Sequence, residues 1–280
     1  MVIDVNTAVV TGGSGFVGRH IVRRLREAGL RVRVVVRSEA NLGDLAGDVD
    51  CISTTDLFAE SDERLRALIA GANLLVHAAW YVDPRDCLWS DQNLHCLSGS
   101  IRLAKAFVDS GVGRFVGIGT SAEYEARDGL LATSTPLRPE TLYGACKASA
   151  FQVIDRLVSH AGKSFLWCRL FNLFGEGEHP SRLVPYMRSR LATGQPVDLS
   201  AGDQFRDYLP VGEASRMIAV AALSGREGAI NICSGVPISV RQLAEQVADE
   251  YGRRDLLTFG VRPIRSGEQS FTVGEKSDDL

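Results

Sequence analysis

Lysine is nearly absent from this chain: of 31 basic residues only four are lysine, at positions 105, 147, 163 and 276. An excess of one charge sign is missing too. With 34 acidic residues the formal net charge is −3, so no basic field is offered to nucleic acid or to an anionic membrane surface. No apolar run approaches the length of a membrane span. The start, Met1-Val2-Ile3-Asp4-Val5-Asn6, lacks the basic stretch and apolar block of a secretory leader and reads as the approach to a strand. Cysteines at 51, 87, 96, 146, 168 and 233 form no CxxC pair and have no histidine at metal-ligand spacing. That speaks against a disulfide scaffold or a metal site, and for reduced thiols in the cytoplasm. What remains is 280 residues that are 45% hydrophobic, enough for one or two domains around a sizeable core.

Short β-rich runs alternate with helical patterns over the first 120 residues. Strands are expected at 7–11, 31–37, 49–54, 73–78 and 114–119, with helices at 15–28 and 94–108. A long loop, 121–142, contains Pro136 and Pro139; loops of that length in compact domains are usually functional. A helix over 143–160 and strands at 165–170 and 228–233 follow. This order predicts an α/β fold: a doubly wound parallel sheet covered on both faces, with a smaller C-terminal lobe. The larger domain takes 1–171, with strand 228–233 returning to it; the lobe takes 172–227 and 234–280.

The first strand runs into Thr11-Gly12-Gly13-Ser14-Gly15-Phe16-Val17-Gly18. Gly12 permits a tight turn, Gly15 lets a pyrophosphate approach the backbone, and Gly18 lets helix and strand pack closely. Phe16 and Val17 open the helix whose free N–H groups and dipole face the phosphates. Between a strand and a helix this is a Rossmann dinucleotide site. The second strand ends in Arg37-Ser38 with no acid before Glu39. An acid there would bind the ribose 2′-hydroxyl of NAD, whereas Arg37 suits a 2′-phosphate, so NADP is expected and NAD is the alternative.

Tyr143 and Lys147 stand one helical turn apart, on one face. A phenol titrating near ~10 is a poor acid or base at neutral pH. An adjacent ammonium stabilises the phenolate and lets the tyrosine exchange a proton with a carbonyl/alcohol pair. Thr120 or Ser121, at the end of the fifth strand, can hold the substrate oxygen, because ligands of open α/β sheets bind at strand C-termini.

The glycine triplet, Thr120 and Tyr143-x-x-x-Lys147 resemble the extended short-chain dehydrogenase/reductases that act on nucleotide sugars. The resemblance spans nearly the whole chain. It implies that Asp56-Leu57 contacts adenine, and that Ala78 and Ala79 of His77-Ala78-Ala79, together with Asn93, lie beside the cofactor. It further implies that Asn172 contacts the sugar nucleotide and that Arg206 of Arg206-Asp207-Tyr208 grips its diphosphate; alternatively, Arg206 pairs with Asp203 or Asp207. Thr120 would orient the sugar carbonyl, Tyr143 act as acid/base, and Lys147 also hold the nicotinamide ribose. A homodimer is expected through the helices starting near Asn93 and Tyr143, with Val153, Ile154, Leu157 and Val158 as its apolar face.

The family's 4,6-dehydratases carry Asp-Glu directly after the catalytic threonine. Here those positions are Ser121 and Ala122, and Glu123 is expected to face away. Glu125 after Tyr124, and Gly212-Glu213, also depart from the family pattern. The expected activity is therefore NAD(P)-dependent reduction of the C4 ketone of a nucleotide-activated 4-keto-6-deoxyhexose, as in deoxysugar biosynthesis. A 4-epimerase with tightly held NAD is the alternative, an NDP-sugar 4,6-dehydratase is less favoured, and a cofactor-sensing binding module without catalysis is a further reading.

Overall fold

Runs of β-branched residues that end at glycine, proline or a capping side chain set the frame of the chain. The computed structural model describes residues 6–263 and 269–277, so all but Asn6 of the expected strand approach lies outside the described residues. The first half contains β1 (Thr7–Thr11), α1 (Phe16–Glu27), β2 (Arg31–Val36), β3 (Asp50–Ser53), α2 (Asp62–Ile69) and β4 (Leu74–His77). It continues through α3 (Gln92–Val108), β5 (Arg114–Thr120), β6 (Gly129–Leu131), α4 (Leu142–His160) and β7 (Ser164–Leu170). Next come β8 (Asn172–Phe174), α5 (Leu183–Ala192), β9 (Val197–Asp198), β10 (Phe205–Pro210), α6 (Val211–Leu223) and β11 (Gly228–Ile232). The last elements are β12 (Pro237–Ser239), α7 (Val240–Asp249), β13 (Leu257–Thr258) and β14 (Phe271–Gly274).

Seven strands form one sheet in the order β11-β7-β5-β4-β1-β2-β3. Every pairing in it is parallel. Such a sheet must be covered on both faces, which explains the near-continuous apolar strands. One face packs Val10, Val34, Val76, Val116 and Leu166 against Ile21, Val22 and Leu25 of α1 and Ala214, Met217 and Ile218 of α6. The other packs Val9, Leu75, Phe115 and Trp167 against α2, α3 and α4 through Leu65, Leu103, Phe107, Ile154 and Val158. The strand order reverses between β1 and β4, which opens a crevice at their C-terminal ends.

A second sheet runs β12-β10-β14-β6, with β8 joined to β10, and β9 pairs with β13. A smaller core lies between α5 and α7, where Val184, Met187, Leu191, Leu243 and Val247 meet. Residues 211–223, in the stretch expected for the lobe, form α6 and lie in the Rossmann layer beside α1.

Two expectations need correcting. Ile154 and Val158 face the sheet and are fully buried in their own chain, one helical turn apart. They are not available for a dimer face, whereas Val153 is exposed. The 121–142 segment is not structureless: a 3₁₀ turn (Ser121–Glu123) and β6 lie inside it. No helix among the described residues is long and apolar enough to cross a membrane.

Candidate active site

The glycine turn closes through a 3.0 Å bond from Gly15 N–H to the Gly12 carbonyl. Gly12 adopts φ +70°, and a Cβ there would stand 2.6 Å from the Ala79 nitrogen. Gly18 is as tightly held: its Cβ would meet the Gly12 oxygen at 2.1 Å. Gly15 differs, being exposed, with only the Gly12 oxygen at 3.3 Å near a would-be Cβ. No side chain caps α1. The first-turn N–H groups, those of Phe16 and Val17 among them, thus lie beside open space that a Cβ at Gly15 would partly occupy. This is the shape and polarity that a pyrophosphate requires.

A buried histidine fixes the other wall. Ser100 Oγ donates to the Cys96 carbonyl at 2.7 Å, so it accepts from His77 Nε2–H at 2.8 Å. His77 Nδ1 then accepts from Thr11 Oγ1 at 2.7 Å, and Thr11 Oγ1 accepts from Ala79 N–H at 3.4 Å. Burial pushes the His77 pKa down to about 3, so this relay stays neutral at any ordinary pH. Ala78 and Ala79 are thereby docked on the glycine turn. Asp56 lies nearby; its carboxylate accepts from Phe58 N–H at 2.9 Å and pairs with His95 Nε2 at 2.7 Å. Burial works to raise its pKa, but these hydrogen bonds prevail and hold it below the usual carboxylate value. Leu57 beside it is buried. Arg37 and Ser38, just past β2 on the same edge of the sheet, are exposed.

Asn93 is fully buried, with every polar atom engaged by protein. Its Oδ1 accepts from Trp80 Nε1 at 2.9 Å, and its Nδ2 donates to the carbonyls of Cys87 at 2.7 Å and Ser90 at 2.9 Å. It braces the loop beside the cofactor crevice. The far end of that loop meets α4, where Tyr143 N–H donates to the Leu88 carbonyl at 3.1 Å.

Thr120 and Tyr143 are brought together: the threonine hydroxyl lies close enough to the phenol to act on its titration. Thr141 caps α4 by accepting from Gly144 N–H at 3.1 Å, which fixes the turn that carries Tyr143. Contrary to the expectation of a phenol lowered by its ammonium neighbour, burial raises the Tyr143 pKa; the Thr120 hydroxyl opposes the rise, and Glu123 and Cys87 add to it. Arg182, at the N-terminus of α5, acts the other way. Lys147 is buried one turn on. Its Nζ donates to the Ile118 carbonyl at 2.8 Å and sits 3.9 Å from the centre of the Trp80 ring. Burial lowers its pKa to about 8, against the opposing pull of Glu123. Trp80, Cys87 and Arg182 were not singled out from sequence; only a location after His77-Ala78-Ala79 could have suggested Trp80.

Glu123 is indeed turned away from the substrate side and is wholly buried with Arg169 and Trp167. Ser121 and Ala122 are partly exposed beside Thr120. On the lobe side, Asn172 Nδ2 donates to the Asp207 carbonyl at 3.2 Å, which places Asn172 beside the strand of Arg206. The Asp207 carboxylate accepts from Ser234 N–H, Gly235 N–H and Gly274 N–H at 2.7, 2.9 and 3.2 Å. Asp207 therefore organises the lobe and is not the partner of Arg206, whose guanidinium donates to the Phe205 carbonyl at 2.8 Å.

The chain has relatives among known proteins. The dTDP-6-deoxy-L-talose 4-dehydrogenase (NAD(+)) of Aggregatibacter actinomycetemcomitans is 24% identical, over 96% of this chain and 99% of its own. A dTDP-glucose 4,6-dehydratase of Streptomyces griseus is 30% identical over 87% of this chain and 78% of its own. The crystal structure of a Streptomyces venezuelae dTDP-glucose 4,6-dehydratase double mutant with NAD bound superposes with a TM-score of 0.84 at 26% identity. That match covers 96% of this chain and 88% of the other. The sequence pattern of the NAD dependent epimerase/dehydratase family matches residues 8–233. With a Rossmann sheet, an open glycine cradle and a Thr-Tyr-Lys set at its mouth, the chain belongs to that family of NAD(P)-dependent enzymes that modify nucleotide sugars.

Proposed function

We propose that the chain reduces the C4 ketone of a nucleoside-diphosphate 4-keto-6-deoxyhexose, with NADPH as reductant. The observation that carries this reading is the burial of Glu123 behind Thr120 while Ser121 and Ala122 occupy the open side. Eliminating water from a sugar needs an additional acid and base at the substrate. The residues next to Thr120 offer neither, so the remaining chemistry is proton transfer at one carbonyl/alcohol centre.

A reduced nicotinamide held in the crevice would supply the hydride. Tyr143, kept protonated by burial, donates its proton to the sugar oxygen. Thr120 hydrogen-bonds the same oxygen and aligns it with the phenol. The Lys147 ammonium stabilises the phenolate left on Tyr143 until solvent returns a proton. Arg206 is suited to the substrate diphosphate, since a guanidinium fork matches phosphate oxygens. Arg37, exposed and without a hydrogen bond or ion pair among the described residues, suits a 2′-phosphate. The 4-dehydrogenase relative, matched over 99% of its length, supports a short-lobed enzyme working at C4. Exposed Leu94 on α3 and Val153 on the neighbouring α4 support self-association along those helices.

The test is a panel of 4-keto sugar nucleotides with NADPH oxidation followed by absorbance. Turnover of one member, abolished in Tyr143→Phe, is expected. NAD copurifying with the protein, together with 4-epimerisation and no net NADPH use, would establish the epimerase instead.

A further inference from the structure

The side chains behind Thr120 form a device that the reaction chemistry does not explain. Thr120 ends β5, and Glu123 follows three residues later on the 3₁₀ turn. The two make a reciprocal cap: Thr120 Oγ1 accepts from Ala122 N–H at 3.2 Å, while Glu123 Oε1 accepts from Thr120 N–H at 2.9 Å. Such a box is ordinarily an exposed helix start. Here the carboxylate is driven into the core and bound from two further directions. Trp167 Nε1–H reaches Oε1 at 2.9 Å and Oε2 at 3.2 Å, and Arg169 Nε–H reaches Oε2 at 2.7 Å. Arg169 is itself 1% exposed, and its Nη1 donates to Tyr124 Oη at 3.2 Å.

The strand that ends in Thr120 is cut to fit. A Cβ at Gly117 would lie 2.2 Å from the Trp167 ring, and one at Gly119 would lie 2.1 Å from its Nε1 and 2.4 Å from Glu123 Oε1. Both glycines vacate the space that the indole and the carboxylate occupy. A buried ion pair is weak support for stability, because desolvation offsets most of its attraction. One whose acceptor ends on the backbone of the substrate-orienting residue has a different use.

We propose that Glu123, clamped by Arg169 and Trp167, is a positioning residue that fixes the Thr120 backbone and so aims the Thr120 hydroxyl at Tyr143 and the substrate oxygen. This rests on the reading of Thr120 given above. Glu123 touches no substrate; it acts through the 2.9 Å bond to Thr120 N–H. Hydrogen-bonding geometry at the reacting oxygen is sensitive to small displacements, so the loss falls on turnover rather than on binding.

Removing one partner alone would bury an uncompensated charge. The informative variant therefore removes both, Glu123→Met with Arg169→Met, and is compared with Glu123→Gln with Arg169→Met, which restores an acceptor for Thr120 N–H without the charge. The Met/Met enzyme is expected to lose at least tenfold in kcat, with KM and the NADPH dissociation constant within threefold. The Gln/Met enzyme is expected to recover to within threefold of the parent kcat. A Met/Met kcat within twofold of the parent, or a Gln/Met enzyme as slow as Met/Met, overturns the proposal. Should Met/Met fail to fold, Glu123→Asp keeps the charge and withdraws the carboxylate by one methylene. A tenfold fall in kcat is then expected, and an unchanged kcat overturns it. Amide hydrogen exchange of the segment 115–124 in parent and folded variants needs no substrate. If the parent turns over no member of the keto-sugar panel, the reaction reading fails, while equal exchange at Thr120 in parent and the folded variant, Met/Met or Glu123→Asp, refutes the clamp itself.

Discussion

Gly15→Ala separates cofactor binding from folding more cleanly than any other single substitution in the cradle. Gly15 caps α1 with φ −78° and ψ 173°, a conformation open to alanine. The added methyl meets only the Gly12 oxygen, at 3.3 Å. The folded chain loses little beyond the poorer capping of alanine relative to glycine, about 1 kcal/mol. For a chain of this length that corresponds to a fall in Tm of roughly 2 °C. The methyl does, however, fill the space against which a pyrophosphate must press. Losing one charge-assisted bond to the α1 N–H groups, at about 1.5–3 kcal/mol, weakens cofactor binding by a factor of roughly 10 to 100. Gly18→Ala is the control. Its Cβ would lie 2.1 Å from the Gly12 oxygen, 2.8 Å from its carbonyl carbon and 2.9 Å from Gly13 Cα, all of them backbone. Relief requires the turn to open, at about 3 kcal/mol or roughly 5 °C in Tm. Thermal melts without cofactor and NADPH fluorescence titrations read both quantities. The cradle assignment is refuted if Gly15→Ala binds NADPH within twofold of the parent, or if it melts as low as Gly18→Ala.

Three further outcomes are expected. Arg37→Ser should weaken NADPH at least tenfold and leave NADH within twofold; equal loss of both would remove Arg37 from the 2′-phosphate site. Activity should fall above a pH of about 8 as Lys147 loses its proton. Because that pKa lies below the ordinary lysine value of 10.5, the folded chain deprotonates first, and stability at this residue rises between about 8 and 10.5. In Lys147→Met that rise should flatten in pH-dependent melts, and an unaltered profile counts against a buried ammonium. Lys163 Nζ donates to the carbonyls of Phe107 and Val112 at 3.0 and 3.1 Å, and also to that of Ser110. Lys163→Met should therefore lower Tm by roughly 4 °C, about 2 kcal/mol, without changing cofactor affinity; no shift in Tm would deny it that role.

The parts of the site legible in sequence are those written in local spacing. Gly12, Gly15 and Gly18 mark one turn, and Tyr143 and Lys147 mark one face of one helix; both survive any rearrangement of the rest. The Rossmann strands were readable for the same reason, as β-branched runs stopped by glycine. What escaped depends on distant partners. α2 is a helix of eight residues whose apolar positions Leu65, Leu68 and Ile69 are too few to announce a period. β6 has three residues and exists because β14, over 100 positions later, pairs with it. The depth of Glu123 follows from Arg169 and Trp167 on the neighbouring β7, and the face taken by Ile154 and Val158 from the sheet beneath α4. No count of the residues flanking them carries that information.

The loop between β4 and α3 has a consequence for the order of events. At one end Ala79 rests on the glycine turn through Thr11; at the other the Leu88 carbonyl holds Tyr143 N–H, and Asn93 ties the middle together. A single braced span thus touches both the glycine turn and the start of the helix that bears Tyr143. On the function proposed above, a cofactor loaded in the cradle is expected to order this span ahead of the sugar, giving an ordered sequence of addition. Product-inhibition patterns should show the nucleotide cofactor adding first and leaving last, and a random order of addition would mean that the two ends of the span move independently.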